Sequence, residues 1–588
     1  MNLRILIAVL LFVPLVSSQG RKMEGEGEID EIKSFSKDTN GSVAYKVATS
    51  TKSDSVSSAA YGYFIKKSAE IPAGEVAKRI QEYSRMEGRF SRAVGLGSYH
   101  KNLDAVVEAL IGAEDYPLAS ALVHFAAKRS YVESEQAKKQ KHMATYFKDG
   151  LDGGGANMGA KGKKGGTSKK GVKVPERLLK VRDAAVAERA MLAAAYNKDK
   201  SLSELIGRIE PQSPGMFAAK LLYDARTGGT IEQDRVTGAL GKVMNVRNPI
   251  NRVSSRLSTW NASVPPACVL VHALGETGDE AFLPVLHKAL FHPDIRVQAD
   301  AARAIKAIGS AESIPVLAKS LSGCQWPVLI EVCDAIGQMP DKRMIKPLVG
   351  RLGKESGRFR QDVVYALSSI AGAQEGKTVR EWVEWYKSHG ENFEVDPAAS
   401  KEYRKEQFVQ RMSVPSYGFF YGLSIYSDRF CFVVDTSASM KGGRIKSLRE
   451  NMTQTLNSLR GNPLYNIIDF GGDVITMYPG SLTEDRVVGI DRVAEMPLTG
   501  ATRSFDALER GCYLAEVDTL IFLSDGAPIR GAIDPWSQIF SALGMINYYR
   551  PLAIMSIDFD PRPGNQQNMR WLALLNAANH ISVEVPLD

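Results

Sequence analysis

Three phrases in the middle of the chain echo one another: FLPVLHKAL from Phe282, SIPVLAKSL from Ser313 and MIKPLVGRL from Met344. Their prolines, Pro284, Pro315 and Pro347, recur at about thirty residues, the range of helical-pair solenoids. Each phrase is followed by a second apolar stripe at helical spacing. The first carries Val297, Ala301, Ala304, Ile305 and Ile308, and the next Leu329, Val332, Cys333 and Ile336. The stripes close on AIG at Ala307–Gly309 and again at Ala335–Gly337, where glycine suits a left-handed C-cap. A chain built this way stacks helix pairs, and no single pair can bury its own apolar face.

The pattern resembles HEAT repeats, particularly the short bacterial type related to phycobilin-lyase repeats. Three copies are clear and a fourth precedes them, ending in ALG at Gly275. Helices upstream, from Pro175 or even Pro72, are candidates for degenerate members. The phrase REWVEWYKSHG sets Trp382 and Trp385 on a helix that caps the stack. The resemblance implies a surface for a protein partner; a spacer that carries the C-terminal part is the other reading.

Downstream, RFCFVVDTSASM at Arg429–Met440 begins with the run Phe430–Val434, suited to a strand buried on both faces. It ends in Asp435, Thr436, Ser437, Ala438 and Ser439, a compact group of hard oxygen donors. Ligands of open α/β sheets gather at the carboxyl ends of strands, where this group would lie. The remainder alternates. Expected are a helix over 444–459, strands at 465–470 and 474–478, a helix over 485–494 and a loop with Thr502 before another helix. A buried strand over 519–523 then ends in SDGAP at Ser524–Pro528. A helix at 534–547, a strand at 552–557, a helix at 568–577 and a strand at 581–585 follow. Such alternation predicts an α/β doubly wound, mostly parallel sheet.

This part resembles a von Willebrand factor type A (VWA) domain, and DTSAS looks like its metal-ion-dependent adhesion site (MIDAS) motif, DxSxS. The resemblance implies a threonine from a central loop, matched by Thr502 with Asp506 after it, and a later aspartate, matched by Asp525. Ala438 stands where many members have glycine, implying a small backbone adjustment. The implied metal set is Asp435, Ser437, Ser439, Thr502 and Asp525. Oxygen-only donors suit Mg²⁺, with Mn²⁺ and Ca²⁺ also admissible. The family also keeps one coordination position open for an Asp or Glu of a protein ligand. The other reading of DTSAS and SDGAP is a helix cap and a turn, without metal.

The rest of the chain sets the context. Met1–Ser18 has a short positive start and an apolar core too short to span a bilayer, so a signal peptide cleaved before Gln19 is expected, and with it an exported protein. Residues 19–70 read as disordered. Residues 71–148 are a helical region: Pro72 opens one helix, Leu103, Val106, Val107 and Leu110 fall on a second, and Pro117 opens a third. Residues 149–174, rich in Gly and Lys, read as a flexible linker, or else a basic tether for an anionic surface. The remaining boundaries are a helical region at 175–264, beginning with one long helix from Pro175 to about Ala195, repeats at 265–390, a polar connection at 391–427 and the VWA-like domain at 428–588. Net charge is only +8, too small to argue for a nucleic-acid partner unless it is concentrated somewhere, and no later stretch would span a membrane. The five cysteines, an odd number without a CxxC pair, read as small buried residues.

No HExxH, GxSxG or P-loop motif is present, and the histidines do not cluster by sequence. The expectation is an exported, non-enzymatic, adhesion-type protein, with HEAT repeats as an interaction scaffold and a metal-dependent site for a protein ligand. A metal-independent scaffold, a chelatase-type complex-assembly factor and a lyase-related HEAT enzyme are the alternatives.

Overall fold

The computed structural model describes residues 103–146, 173–245 and 264–585, apart from short breaks at 113, 115, 230, 232, 377, 391, 411–415, 479–480, 515, 532 and 560–562. The expected signal peptide, the segment after it, the Pro72 helix and nearly all of the Gly/Lys-rich stretch lie outside the described residues.

The helical part opens with α1 (Leu103–Gly112) and the long α2 (Tyr116–Tyr146). The single helix expected from Pro175 is instead two, Glu176–Lys180 and α3 (Ala184–Asn197). Asp183 interrupts it: its carboxylate accepts the N–H groups of Ala185 and Val186, and capping starts a new helix there. After α4 (Pro214–Thr227) come the repeats: α5 (Pro266–Thr277), α6 (Leu283–Ala289), α7 (Ile295–Ile308), α8 (Ile314–Leu321), α9 (Trp326–Gln338), α10 (Ile345–Leu352) and α11 (Gly357–Ala371). Then follow α12 (Val379–His389) and α13 (Pro397–Gln410).

The stack has two layers. Helices α2, α3, α4, α5, α7, α9, α11 and α13 each pack on the next, while the shorter α6, α8 and α10 lie against them as a second row and α12 packs on α10. The first row thus runs unbroken from α2, taking in the upstream helices. Before each of α6, α8 and α10 the chain makes a capped turn. Asp279, Ser310 and Asp341, spaced 31 residues apart, accept the N–H two residues on. These caps are the repeat's hydrogen-bonded signature, and the prolines follow inside the next helical turn, where a missing N–H costs little.

The glycines of the repeat phrases divide. Gly309 is a left-handed C-cap at φ 76°. Gly275 and Gly337 lie within α5 and α9, so the expected cap at Gly337 is not formed. A Cβ on Gly275 would come within 2.7 Å of Ala304 in α7, so this glycine serves close packing of neighbouring helices. Trp382 and Trp385 of α12 are buried edge to face at 5.5 Å.

The stretch read as a polar connection is structured. It supplies α13, whose Tyr403 is buried, and a hairpin of β1 (Gly418–Phe420) and β2 (Leu423–Ile425). Phe420, Leu423 and Ile425 join the core of the α/β part. The main sheet contains β3 (Arg429–Asp435), β4 (Leu464–Phe470), β5 (Val474–Thr476), β6 (Thr519–Ser524), β7 (Ala553–Asp558) and β8 (His580–Ser582). Its order is β5-β4-β3-β6-β7-β8, parallel except for the edge strand β5. Around it lie α14 (Gly443–Ser458), α15 (Arg486–Ala494), α16 (Ser504–Cys512), α17 (Trp536–Ile546) and α18 (Pro563–Leu575).

Both faces of the sheet are covered, which explains the continuous apolar run of β3. Phe430, Phe432 and Val434 enter a core with Leu448, Met452 and Leu456 of α14. Cys431 and Val433 enter the opposite core with Phe505, Ile539 and Leu572. All five cysteines are free thiols; four are buried and Cys324 is partly exposed.

The helical stack grips the sheet by the amino ends of its strands. Arg358 of α11 donates to the carbonyls of Asp518 (2.9 Å) and Pro551 (2.6 Å), just before β6 and β7. Ser356 donates to Asp428, just before β3, at 2.9 Å. Asp300 of α7 accepts the hydroxyls of Tyr548 (3.2 Å) and Tyr549 (2.9 Å), and Arg303 lies 4.3 Å over the Tyr548 ring while donating to its carbonyl. Burial and the neighbouring Asp300 charge push both phenols well above their ordinary range, keeping them proton donors.

Candidate functional site

Strand β3 is central. From it the chain crosses to β4 on one side, and β6 later fills the other, so the order reverses between β3 and β6. A crevice opens at the carboxyl ends of strands at such a point. Asp435 is the last residue of β3 and Asp525 follows the last residue of β6. The two aspartates read from sequence, 90 positions apart, therefore meet at one crevice.

Asp435 is fully buried. One carboxylate oxygen accepts the Ser437 N–H at 2.8 Å and the other the Ser524 hydroxyl at 2.6 Å. Burial, then the charge of Asp525, pushes its carboxyl up to about 7 despite those donors. Two buried carboxylates sharing one crevice repel, and a cation relieves that repulsion. The Ser437 and Ser439 hydroxyls are 2.9 Å apart, and Ser439 donates to Asp525 at 2.7 Å. Ser437 is buried and Ser439 exposed, so the group opens to solvent on the Ser439 side.

Thr502 is buried on the loop before α16. Its carbonyl accepts the N–H of Ile529, tying this loop to the segment after Asp525. Its Oγ1 lies 4.0 Å from the position a Cβ would take on Gly526. Asp506 lies in the first turn of α16 and accepts from Arg503 at 3.0 Å. The same loop begins with Thr499, whose N–H donates to the Thr436 carbonyl at 2.9 Å. Gly471, after β4, fits between them; a Cβ there would be 2.3 Å from Thr499 Oγ1 and 2.9 Å from the Thr436 carbonyl oxygen. Four segments are thus tied together around the carboxyl ends of β3, β4 and β6: those after each of these strands and the loop at 499–502.

The residues fit a hard divalent cation: two carboxylates and three hydroxyls, with no nitrogen or sulfur donor among them. Two more hydroxyls, Thr436 Oγ1 after β3 and Ser504 Oγ at the start of α16, are buried without a hydrogen-bond partner, so these segments carry polar capacity that the protein does not itself satisfy. Among the described residues no cluster of three or more His, Cys, Asp or Glu could hold a metal, so any ion here depends on two carboxylates and neutral hydroxyls. Such a low-charge set leaves the ion electrophilic.

Two participants were not singled out from the sequence. Ser524 precedes Asp525 and orients Asp435; a hydroxyl directly before the SDG aspartate was the available signal. Arg444, in the first turn of α14, makes an ion pair with Asp525. Its motif, GGRIK, reads as an ordinary helix start, and no spacing rule links it to Asp525.

A family model of HEAT repeats matches residues 256–329. Among curated proteins, inter-alpha-trypsin inhibitor heavy chain H1 from Sus scrofa and from Bos taurus are each 27% identical over 119 residues, 18% of this chain and 13% of theirs. The chain therefore matches only a small fraction of those relatives' length. The helical part contains HEAT repeats, and the C-terminal part is an α/β unit on a mixed sheet.

Proposed function

We propose that the C-terminal part is a VWA-type domain that binds Mg²⁺ through Asp435, Ser437, Ser439, Thr502 and Asp525, and through that ion a carboxylate of a protein partner. Mn²⁺ and Ca²⁺ are the other candidate ions. The observation that carries the reading is the meeting of Asp435 and Asp525 with the serine hydroxyls at the crevice between β3 and β6. The similarity to inter-alpha-trypsin inhibitor heavy chain, a VWA-containing protein, supports it. So do two exposed apolar residues beside the site: Leu498, adjacent to Thr499, and Ile529, hydrogen-bonded to Thr502. Exposed apolar side chains around a polar centre suit a protein surface better than a small solute.

On this reading the protein is an exported, non-enzymatic adhesion-type molecule. HEAT repeats suit protein–protein interaction, and here the row containing α7 and α11 already holds the chain's own sheet by its base. The adhesion crevice lies at the opposite ends of the strands and stays open. A second reading, a metal-independent scaffold or complex-assembly factor, draws on the Arg444–Asp525 pair, which neutralises one carboxylate without any ion.

The test is capture of partners by the full chain with Mg²⁺, with chelator, and with Asp435→Asn. Partners retained only by wild type with Mg²⁺ support the adhesion reading. Equal capture in all three favours the metal-independent scaffold.

A further inference from the structure

Arg444 occupies an unusual place for a cation. It sits one residue into α14, its side chain is only 10% exposed, and one of its terminal nitrogens donates to Asp525 Oδ2. The other oxygen of Asp525 takes the Ser439 hydroxyl at 2.7 Å. The Arg444 Nε is buried with no hydrogen-bond partner. A structural arginine bound to a carboxylate ordinarily uses its planar fork, two parallel N–H groups on two oxygens. This one reaches a single oxygen end-on and leaves a buried donor unmatched, an arrangement that costs stability. What it accomplishes is to put a positive charge on the aspartate the proposed ion would need.

We propose that Arg444 is the resident counter-ion of Asp525 and competes with the divalent cation for it, so that Arg444 sets how tightly the site holds metal. The inference rests on the metal-site reading above and adds a residue outside the DxSxS, threonine and aspartate set. Without a divalent ion, Arg444 offsets the repulsion between Asp525 and Asp435 and keeps the crevice together. A divalent ion approaching Asp525 meets a fixed like charge, and either displaces Arg444 from Oδ2 or shares the carboxylate with it. Both routes weaken binding relative to an unpaired aspartate. A partner's carboxylate entering the crevice adds the negative charge that favours both cations together. Ion and partner are thereby coupled, each binding more tightly in the presence of the other.

The test is calorimetric titration of Mg²⁺ into the full chain of wild type, Arg444→Gln, Arg444→Lys and Asp525→Asn, with melting curves in chelator and in Mg²⁺. Arg444→Gln is expected to bind Mg²⁺ at least about tenfold more tightly, since a competing buried charge is gone. It should also melt lower than wild type in chelator and regain more of its melting temperature in Mg²⁺. Arg444→Lys, which keeps the charge on a more flexible stem, should fall between the two. A purely structural arginine would lower the melting temperature without tightening metal binding. Unchanged or weaker Mg²⁺ affinity in folded Arg444→Gln overturns the inference; if that variant does not fold, unchanged affinity in Arg444→Lys does so. Binding by Arg444→Gln alone, with wild type silent, supports competition in its strongest form. Absence of binding in wild type and both Arg444 variants removes the metal site itself, and this inference with it. Wild-type binding that survives Asp525→Asn refutes the assignment of Asp525 in both.

Discussion

The two ends of the central sheet hold their buried charges by different means. At the amino ends, charges are held across the junction with the helical stack: Asp300 takes two tyrosine hydroxyls and Arg303, and Arg358 takes two strand-end carbonyls. The buried Asp518 accepts the Ser427 and Thr519 hydroxyls on one oxygen and keeps the other without a partner. At the carboxyl ends two aspartates share one crevice, and the protein supplies a single arginine against them. The first end is closed by its own chain. The second holds an excess of oxygen donors facing solvent through Ser439. Hydrogen bonds that join the stack to the strand ends fix the orientation of the sheet, whereas two carboxylates sharing a crevice that opens to solvent can take up a cation. The base therefore holds the domain and the opposite ends carry the candidate function.

The comparison breaks most readily at the base. Arg358→Ala should cost about 3 kcal/mol, because it leaves the partly buried Pro551 carbonyl without its donor and removes a positive charge near Asp518. Burial raises the Asp518 carboxyl above its usual range, and Arg358 pulls it part of the way back. A raised folded-state value means stability is full below the ordinary carboxylate range and is lost as pH rises through the folded value. Without Arg358 that value moves higher still, so the ionised carboxylate is costlier. The Arg358→Ala deficit should then be greater at mildly alkaline than at mildly acidic pH, read from melting curves of both proteins across that range. An equal deficit throughout would separate the arginine's packing from its charge.

Asp300→Asn probes the same end more gently. It keeps an acceptor for one tyrosine but weakens the Arg303 contact and the second phenol, for an expected loss of about 2 kcal/mol in chemical denaturation. Metal affinity at the far end should not change, since the two ends share no side chain. A change there would show that docking and site are coupled through the sheet.

These contrasts were unevenly legible in the sequence. The run Phe430–Val434 ending in Asp435 announced a buried strand with donors at its tip, because burial on both faces forces a continuous apolar run. The repeat was equally plain, since helix pairs must present a stripe every thirty or so residues. The α13 helix was not: its low apolar content resembles a linker, although Tyr403 and Ser400 are buried. Arg358, Arg303 and Arg444 escaped for a common reason. Each acts on a group from 81 to 245 positions away, through contacts that no local period encodes. Gly337 misled, because a glycine near the end of a helix serves close packing as readily as capping.

At the carboxyl ends the smallest effect belongs to Thr502→Ala, which removes a neutral donor that water can replace. A several-fold loss of affinity is expected, against abolition for Asp435→Asn. The most direct measurement is therefore a Mn²⁺ titration of the full chain followed by electron paramagnetic resonance, comparing wild type with Asp435→Asn. The account predicts one bound ion per wild-type chain, displaced by Mg²⁺, and none in Asp435→Asn. A wild-type chain that binds no Mn²⁺, or an Asp435→Asn chain that binds it as wild type does, would contradict it.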